Sequence, residues 1–345
     1  MKKCFKTALY ILSSIVGAGF ASGKEITVFL GKDGLGVVSA VVCAVGSFLL
    51  CALFLSVSAA AGSGGFAAVN KKLFPRLHAF FDISLILNFI IVLSAMSAAA
   101  GEIAGRIFPA FEKLYIPLFL LLSACVVRRG REHVVNAGYI LMLFIVAVII
   151  AVSVENFSYG ESIYEKSPNI LSCLRYMSLV MFMSAGTIVS RGQLTVKQRW
   201  LISAVVGTGL GILIFTLGYA IRCCGCETEN IPVFALSSRL GKVAYYMTVL
   251  LIVLSAFTAS TAAFGEISGF LAPSTGKTAA ILFTAAAAYT IGLFGFGRVI
   301  ELFYPVIGAI GIIFFAGALR YSAAAFSDKF FRKRYAEIHD GGKKT

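Results

Sequence analysis

"IVLSAFTASTAAFGEISG" occupies residues 252–269, and "IVLSAMSAAAGEIAG" occupies residues 91–105. Both begin Ile-Val-Leu-Ser-Ala and both end Gly-Glu-Ile-X-Gly; the later copy is three residues longer. A second, fainter echo joins "GAGFASGK" (17–24) to "SAGTIVSR" (184–191), which share an Ala-Gly step with a basic residue five positions past its glycine. The first echo is displaced by 161 residues at its start and the second by 167. That shared spacing speaks against a chance likeness between Ala/Ser-rich helices and for an internal duplication.

Composition sets the surroundings of the duplication. The 345 residues are 59% hydrophobic and 13% charged, with a mean hydropathy of +0.91; soluble domains carry about 25% charged residues. A bilayer requires roughly 20 apolar residues per helical span. Ten segments meet or approach that length: about 7–30, 36–60, 80–104, 115–127, 134–153, 172–190, 200–222, 243–269, 278–296 and 300–321, the fourth being short. This is the pattern of an all-α integral membrane protein in a lipid bilayer. The opening "MKKCFKTALYILSSIVGAGFASG" has the basic start, apolar core and small residues of a secretory signal, but nine further spans favour a retained first helix. With the N-terminus inside, 20 of the 30 Lys and Arg fall on the inner side, and the longest opposite loop, "ENFSYGESIYEKSPN", is net acidic. That bias follows the positive-inside rule and predicts a cell-membrane protein with both termini cytoplasmic. It also accounts for the net charge of +14 without nucleic acid, because no basic stripe is interleaved with aromatics on a polar domain.

The echoed segments fall in spans three and eight and in spans one and six, five apart each time. Five is odd, so the second set enters the membrane the other way up. The expected architecture is a five-plus-five inverted repeat: residues 1–153, an outer loop 154–171, residues 172–321 and a basic cytoplasmic tail 322–345. In such repeats the first helix of each half is discontinuous near the midplane, and the substrate site lies there. The first span carries Gly17, Gly19 and Gly23 within seven residues, followed at once by Lys24 and Glu25. The sixth has Ala185–Gly186. Unwound backbone is tolerated at membrane depth only where protein, a ligand or an ion meets it.

"IVGAGFASGKEI" (15–26) resembles the first-helix signature of the YkvI-type membrane proteins, where a Gln often stands at the position of Lys24. Those proteins are similar to the amino acid–polyamine–organocation (APC) superfamily, built on the leucine-transporter (LeuT) fold. The resemblance implies helices 1 and 6 discontinuous and a small solute held between them, an amino acid or related amine or carboxylate. It places the solute against Gly17, Ala18, Gly19, Phe20, Ala21 and Ser22, with Met183, Ser184, Ala185, Gly186 and Thr187 around the rest and Phe182 closing over it. The half-helix beginning near Ala21 then offers the amides of Ala18 to Ser22 to a carboxylate. Sodium-coupled relatives imply an ion held by the carbonyls of Ser13, Val16 and Phe257 and by the adjacent hydroxyls of Ser260 and Thr261, which lie inside the three-residue difference between the repeats. Serine and threonine in a membrane helix also bond back to the preceding turn or glue helices together, so both readings stand. Proton-coupled relatives often carry a lysine on the fifth helix, and "VVNAGYILMLFIVAVIIAVSV" has none, which leans from H+ towards Na+.

Charged groups in apolar spans are costly and mark function. Lys24 and Glu25 are expected to form a gate with each other or with Glu301, or else to snorkel to water. Glu102 and Glu266, ending the repeated motif, are expected to accept backbone N–H bonds at a neighbouring broken helix, with a proton relay as the alternative. Asp82, Asn88 and Arg175 are open as pathway residues. "RCCGCE" offers Cys223, Cys224 and Cys226 for a disulfide or a soft metal. Enzyme patterns fail: Gly17–Lys24 misses the phosphate-loop spacing, with Glu25 where Ser or Thr belongs, and Gly-X-Gly-X-X-Gly fails by one residue. Ser22 has no base near it in sequence, since His78, His133 and His339 fall in cytoplasmic segments. The expectation is a secondary active transporter needing no cofactor beyond its coupling ion. The alternatives are a solute-sensing receptor or channel-like protein on the same scaffold, or proton-coupled transport.

Overall fold

The computed structural model describes residues 2–31, 35–62, 65–107, 112–128, 131–159, 169–189 and 194–341. Residues 160–168 of the 154–171 loop, together with Arg129 and Arg191, lie outside them. The described residues form fifteen α-helices. The first span is three pieces, α1 (Lys2–Ile15), α2 (Ala18–Ala21) and α3 (Lys24–Leu30). It is followed by α4 (Val37–Ala61), a short α5 (Gly65–Leu73), α6 (His78–Ile107), α7 (Glu112–Arg128) and α8 (Arg131–Glu155). The sixth span is two pieces, α9 (Ile170–Met183) and α10 (Ala185–Val189). Then come α11 (Val196–Cys224), a short α12 (Pro232–Arg239), α13 (Lys242–Thr275), α14 (Lys277–Gly292) and α15 (Phe296–Gly341). Among the described residues a helix or a set of helical pieces lies in each of the ten expected segments, and only the first and sixth are interrupted. Five helices are long and apolar enough by themselves to cross a membrane: α4, α6, α11, α13 and α15.

Local chemistry sets the helix ends. Asn169 caps α9 by accepting from the amides of Leu171 (3.0 Å) and Ser172 (3.3 Å). Thr195 and Gln198 form a reciprocal capping box at the start of α11, and Gly225 ends it in the left-handed region at φ +61°. Lys72 donates to the last carbonyl of α4, Ala61 O, at 2.8 Å.

Between helices, lipid tails supply no hydrophobic driving force, so small residues that let backbones approach decide the packing. A Cβ at Gly207 of α11 would stand 2.7 Å from Ala44 O, and one at Gly211 would stand 2.5 Å from Ala44 Cβ. Glycine at both positions draws α11 onto α4. Gly308 and Gly311 of α15 do the same against α9, where a Cβ would lie 2.9 Å from Arg175 O and 2.7 Å from Ser178 O. At the end of the bundle that carries α5, Phe54, Phe66, Phe74, Phe81, Phe182 and Phe314 form a cluster of stacked and edge-to-face rings with centroids 4.1–6.4 Å apart. There Asn70 of α5 donates to Asp82 of α6 at 2.7 Å, so Asp82 is a structural anchor for α5.

Candidate functional site at the two helix breaks

The first break falls at Val16–Gly17. The Gly17 amide turns back to Ile15 O (2.9 Å), and the Ala18 amide donates to the Met96 thioether sulfur at 3.0 Å. A Cβ at Gly17 would lie 2.8 Å from Met96 Sδ and 3.1 Å from Ala259 Cβ. Glycine at 17 thus lets α6 and α13 close on the interrupted chain from two sides. Met96 occupies the position in "IVLSAM" that Phe257 holds in "IVLSAF". It was legible as the repeat partner of a proposed ion-site residue, and composition alone hid it.

A second break follows six residues later. Gly23 sits at φ +83°, which an L side chain adopts only with strain. Its neighbour Ser22 O accepts the Val233 amide of α12 at 3.1 Å. Between the breaks α2 makes a single turn: the amides of Ala21 and Ser22 donate to Gly17 O (2.9 Å) and Ala18 O (2.8 Å). This corrects the expectation for a carboxylate site, because the half-helix starts at Ala18 and not at Ala21, and the last two amides of Ala18–Ser22 are already used. The Ser22 hydroxyl donates to Gly19 O (2.9 Å).

The sixth span breaks once, at Ser184, whose hydroxyl donates to Val180 O (3.0 Å) and Met181 O (3.1 Å). Met183, Ala185, Gly186 and Thr187 are all buried at this break. Ser58 of α4 donates to Val189 O at 3.2 Å and fixes the end of α10. Phe182 does not stand free to close over a solute. It is fully buried in the aromatic cluster, edge-to-face with Phe66 (6.4 Å) and Phe314 (5.4 Å).

Helix α13 passes both breaks. Ala259 touches Gly17, and two turns on the Glu266 carboxylate lies over Gly186, where a Cβ would meet Oε2 at 2.9 Å. Its repeat partner Glu102 is placed differently, 3.5 Å from Arg106 on its own helix, and Arg106 in turn lies 4.8 Å over the Phe234 ring. Next to Ala259, the Ser260 hydroxyl is buried with no hydrogen-bond partner, while Thr261 donates back to Thr258 O at 3.0 Å. Ser13 donates to Tyr10 O at 2.8 Å, Val16 is fully buried, and the Phe257 ring packs edge-to-face on Phe119.

The three gate residues separate. Lys24, nearly buried, pairs with half-exposed Glu301 at 2.7 Å. Glu25 belongs to no gate of that kind: it is 0% exposed and its carboxylate folds back onto Gly19. Asn88 is buried in α6 with its amide nitrogen unbonded. The three loop-side cysteines are free thiols; Cys224 donates to Asn156 Oδ1 (3.3 Å) and Cys226 to Ile221 O (3.5 Å), and no metal-ligand cluster forms among the described residues. Away from the breaks, a groove of about 430 Å³ between α1, α8 and α11 is lined almost wholly by apolar side chains.

No protein-family model and no curated protein sequence matches the chain. Solved structures do. A crystal structure of MhsT in complex with L-phenylalanine aligns over 91% of each chain with a TM-score of 0.68 at 14% identity. A structure of Mhp1, a nucleobase-cation-symport-1 family transporter, in a closed conformation with bromovinylhydantoin bound, aligns over 90% of this chain and 77% of its own, with a TM-score of 0.62 at 13% identity. These likenesses carry the fold: a multi-pass integral membrane protein of the LeuT-like class.

Proposed function

We propose that the chain is a secondary active transporter of a small solute, an amino acid or related amine or carboxylate, working by alternating access with sodium as the coupling ion. The observation that carries this reading is a single helix, α13, meeting the interruption of span one at Ala259 and that of span six at Glu266. It does so in a fold shared with a protein holding L-phenylalanine and with a symport-family transporter. The solute occupies the space between the two breaks. Sodium is held beside it by the carbonyls of Ser13, Val16 and Phe257 and the hydroxyls of Ser260 and Thr261, oxygen ligands of the kind a hard cation takes. The orphaned Ser260 hydroxyl supports this, since a buried hydroxyl without a partner is costly until something fills the place. Thr261 still has lone pairs to offer while it donates to Thr258 O. Lys24 and Glu301 close the outer side. Membership of the YkvI-type family, a cell-membrane location and cytoplasmic termini belong to the same proposal.

The test is thermal unfolding of detergent-purified protein in sodium chloride against choline chloride, with and without amino acids, followed by uptake into proteoliposomes under a sodium gradient. A ligand that binds only the folded state stabilises it by about 2.7 kcal/mol at a hundredfold excess over Kd. The expected result is a sodium-specific shift, lost in the Ser260→Ala/Thr261→Ala double variant, and sodium-driven uptake. A solute shift indifferent to sodium refutes the coupling; binding with no uptake refutes transport.

A further inference from the structure

One group of buried side chains is satisfied by nothing around it. Neither carboxylate oxygen of Glu25 has a hydrogen-bond partner, and the hydroxyls of Tyr176 and Tyr304 have none either, although all three residues are 0% exposed. They belong to α3, α9 and α15, which pack against one another. Phe29, one turn on from Glu25, packs on the Tyr176 ring at 5.4 Å, and Gly308, one turn on from Tyr304, meets Arg175 O beside Tyr176. The Glu25 carboxylate lies over Gly19, so the group adjoins the interrupted stretch of span one. Lys24 is turned to Glu301, and no ion pair to Glu25 forms among the described residues.

A comparison inside the molecule sharpens the point. The glycine of each Ala-Gly step is covered by a glutamate, Gly19 by Glu25 and Gly186 by Glu266. Glu266 is not without a partner, whereas Glu25 is. A covering glutamate is therefore compatible with a satisfied carboxylate, and covering the glycine does not explain the orphan. Burying a carboxylate with neither cation nor donor is among the costliest arrangements a fold can hold, and an acid inside a membrane bundle marks a functional position.

We propose that Glu25, Tyr176 and Tyr304 together receive the ammonium group of a protonated amine, so that the solute is an amine-bearing one; this deepens the transporter reading and rests on it. What is missing at the group is a cation: its two phenols carry donors of their own, yet neither is bonded to the carboxylate. An ammonium brings three N–H donors and no lone pair, one for the carboxylate and one for each phenol oxygen. A bare proton satisfies one carboxylate oxygen and leaves both hydroxyls as they are. A hard metal ion wants six or so oxygens, and these side chains offer four. The two tyrosine rings add a surface that favours organic cations.

The experiment uses the full-length protein in detergent and methylammonium as the minimal probe. Thermal unfolding is followed in methylammonium chloride, sodium chloride and choline chloride at equal ionic strength. Methylammonium at a tenfold excess over its Kd is expected to raise Tm by about 2 °C relative to choline. Glu25→Gln is expected to abolish that shift, and Tyr176→Phe and Tyr304→Phe each to weaken the apparent affinity about tenfold. No methylammonium-specific shift, or one unchanged in Glu25→Gln, overturns the assignment. So does a sodium shift that depends on Glu25, which would make the site one for an inorganic cation. Should Glu25→Gln not fold, unchanged affinity in both tyrosine variants overturns it as well. Proteoliposome uptake separates this idea from the transporter reading. Uptake of solutes lacking an amine, as fast as their amine-bearing analogues, removes the ammonium site and keeps the transporter. Methylammonium binding through Glu25 with no uptake of any solute does the reverse.

Discussion

The ion pair between Lys24 and Glu301 is asymmetric, and that asymmetry yields a directional prediction. The Lys24 side chain is 9% exposed and Glu301 is 51% exposed, with 2.7 Å between Nζ and Oε1. Lys24→Met keeps the aliphatic stem and removes the charge, leaving a carboxylate that water already solvates. Its cost is the ordinary worth of a half-exposed pair, at most about 1 kcal/mol. Glu301→Ala leaves a nearly buried ammonium without its acceptor, and a lost charge-assisted hydrogen bond with an unsatisfied charged donor costs about 2–3 kcal/mol. In the double variant that penalty disappears, because no ammonium remains to be stranded. The assay is thermal unfolding of the four proteins in one detergent and salt, built into a double-mutant cycle. The expected order is wild type, then Lys24→Met and the double variant close together, then Glu301→Ala. If Lys24→Met is as damaging as Glu301→Ala, or the double variant is the worst of the four, the burial argument is wrong. The gate reading adds one requirement: pair-breaking variants should leave a cysteine at position 22 more reactive to a charged, membrane-impermeant thiol reagent.

Gly23→Ala forces an L side chain into φ +83° and puts its Cβ 2.6 Å from Ile221 Cδ1, so a loss of about 1–3 kcal/mol is expected by thermal unfolding. Gly31→Ala is the control: it sits at φ −59° with Thr27 Cβ at an ordinary 3.6 Å, and should change stability by no more than a few tenths of a kcal/mol. Cys226 lies in the turn after α11, where burial, with Cys224 acting in the same direction, pushes its thiol up to about 12. The thiolate is scarce at pH 8, so iodoacetamide should leave Cys226 unmodified in the folded protein and alkylate it after denaturation, as peptide mass spectrometry will show.

How much of this was legible before the structure depends on what kind of signal each feature leaves. The ten spans are written in hydropathy, which lipid enforces over whole segments. The interruptions at Gly17–Gly23 and Ser184–Gly186 are written in glycine and in the repeat. The direction of individual side chains is not written anywhere local. Glu25 and Lys24 are adjacent in sequence and both charged, yet one turns to Glu301 across the bundle and the other folds onto Gly19. That choice is made by α9 and α15, far away in sequence. Phe182 went astray for the same reason: a phenylalanine beside a break faces either the ligand or its neighbours, and only the rings of Phe66 and Phe314 decide. The amides of Ala21 and Ser22 were expected to be free because the helix start was set three residues late, and a one-turn helix between two breaks has no hydropathy signature.

The double interruption of span one also has a mechanical consequence that span six, with its single break, lacks. Residues Gly17–Ser22 are hinged at both ends and held by two bonds to elements outside span one, Ala18 N–H to Met96 and Ser22 O from Val233 N–H of α12. The second bond ties α12 to the hinge from which Lys24 and Glu25 project, so movement of α3 and movement of α12 are coupled through one hydrogen bond. Replacing the Val233 amide by an ester, with the α-hydroxy analogue of valine, deletes the N–H and leaves the side chain and the first turn of α12 intact. The Ser22 carbonyl then loses its partner at a cost of about 1–2 kcal/mol, too little to unfold the bundle. Amide hydrogen exchange should rise together in α12 and α3 while α6 and α13 stay protected, since opening is local and follows the bonds that were cut. Faster exchange confined to α12 would mean that the two elements move independently, and the coupling through Ser22 would have to be abandoned.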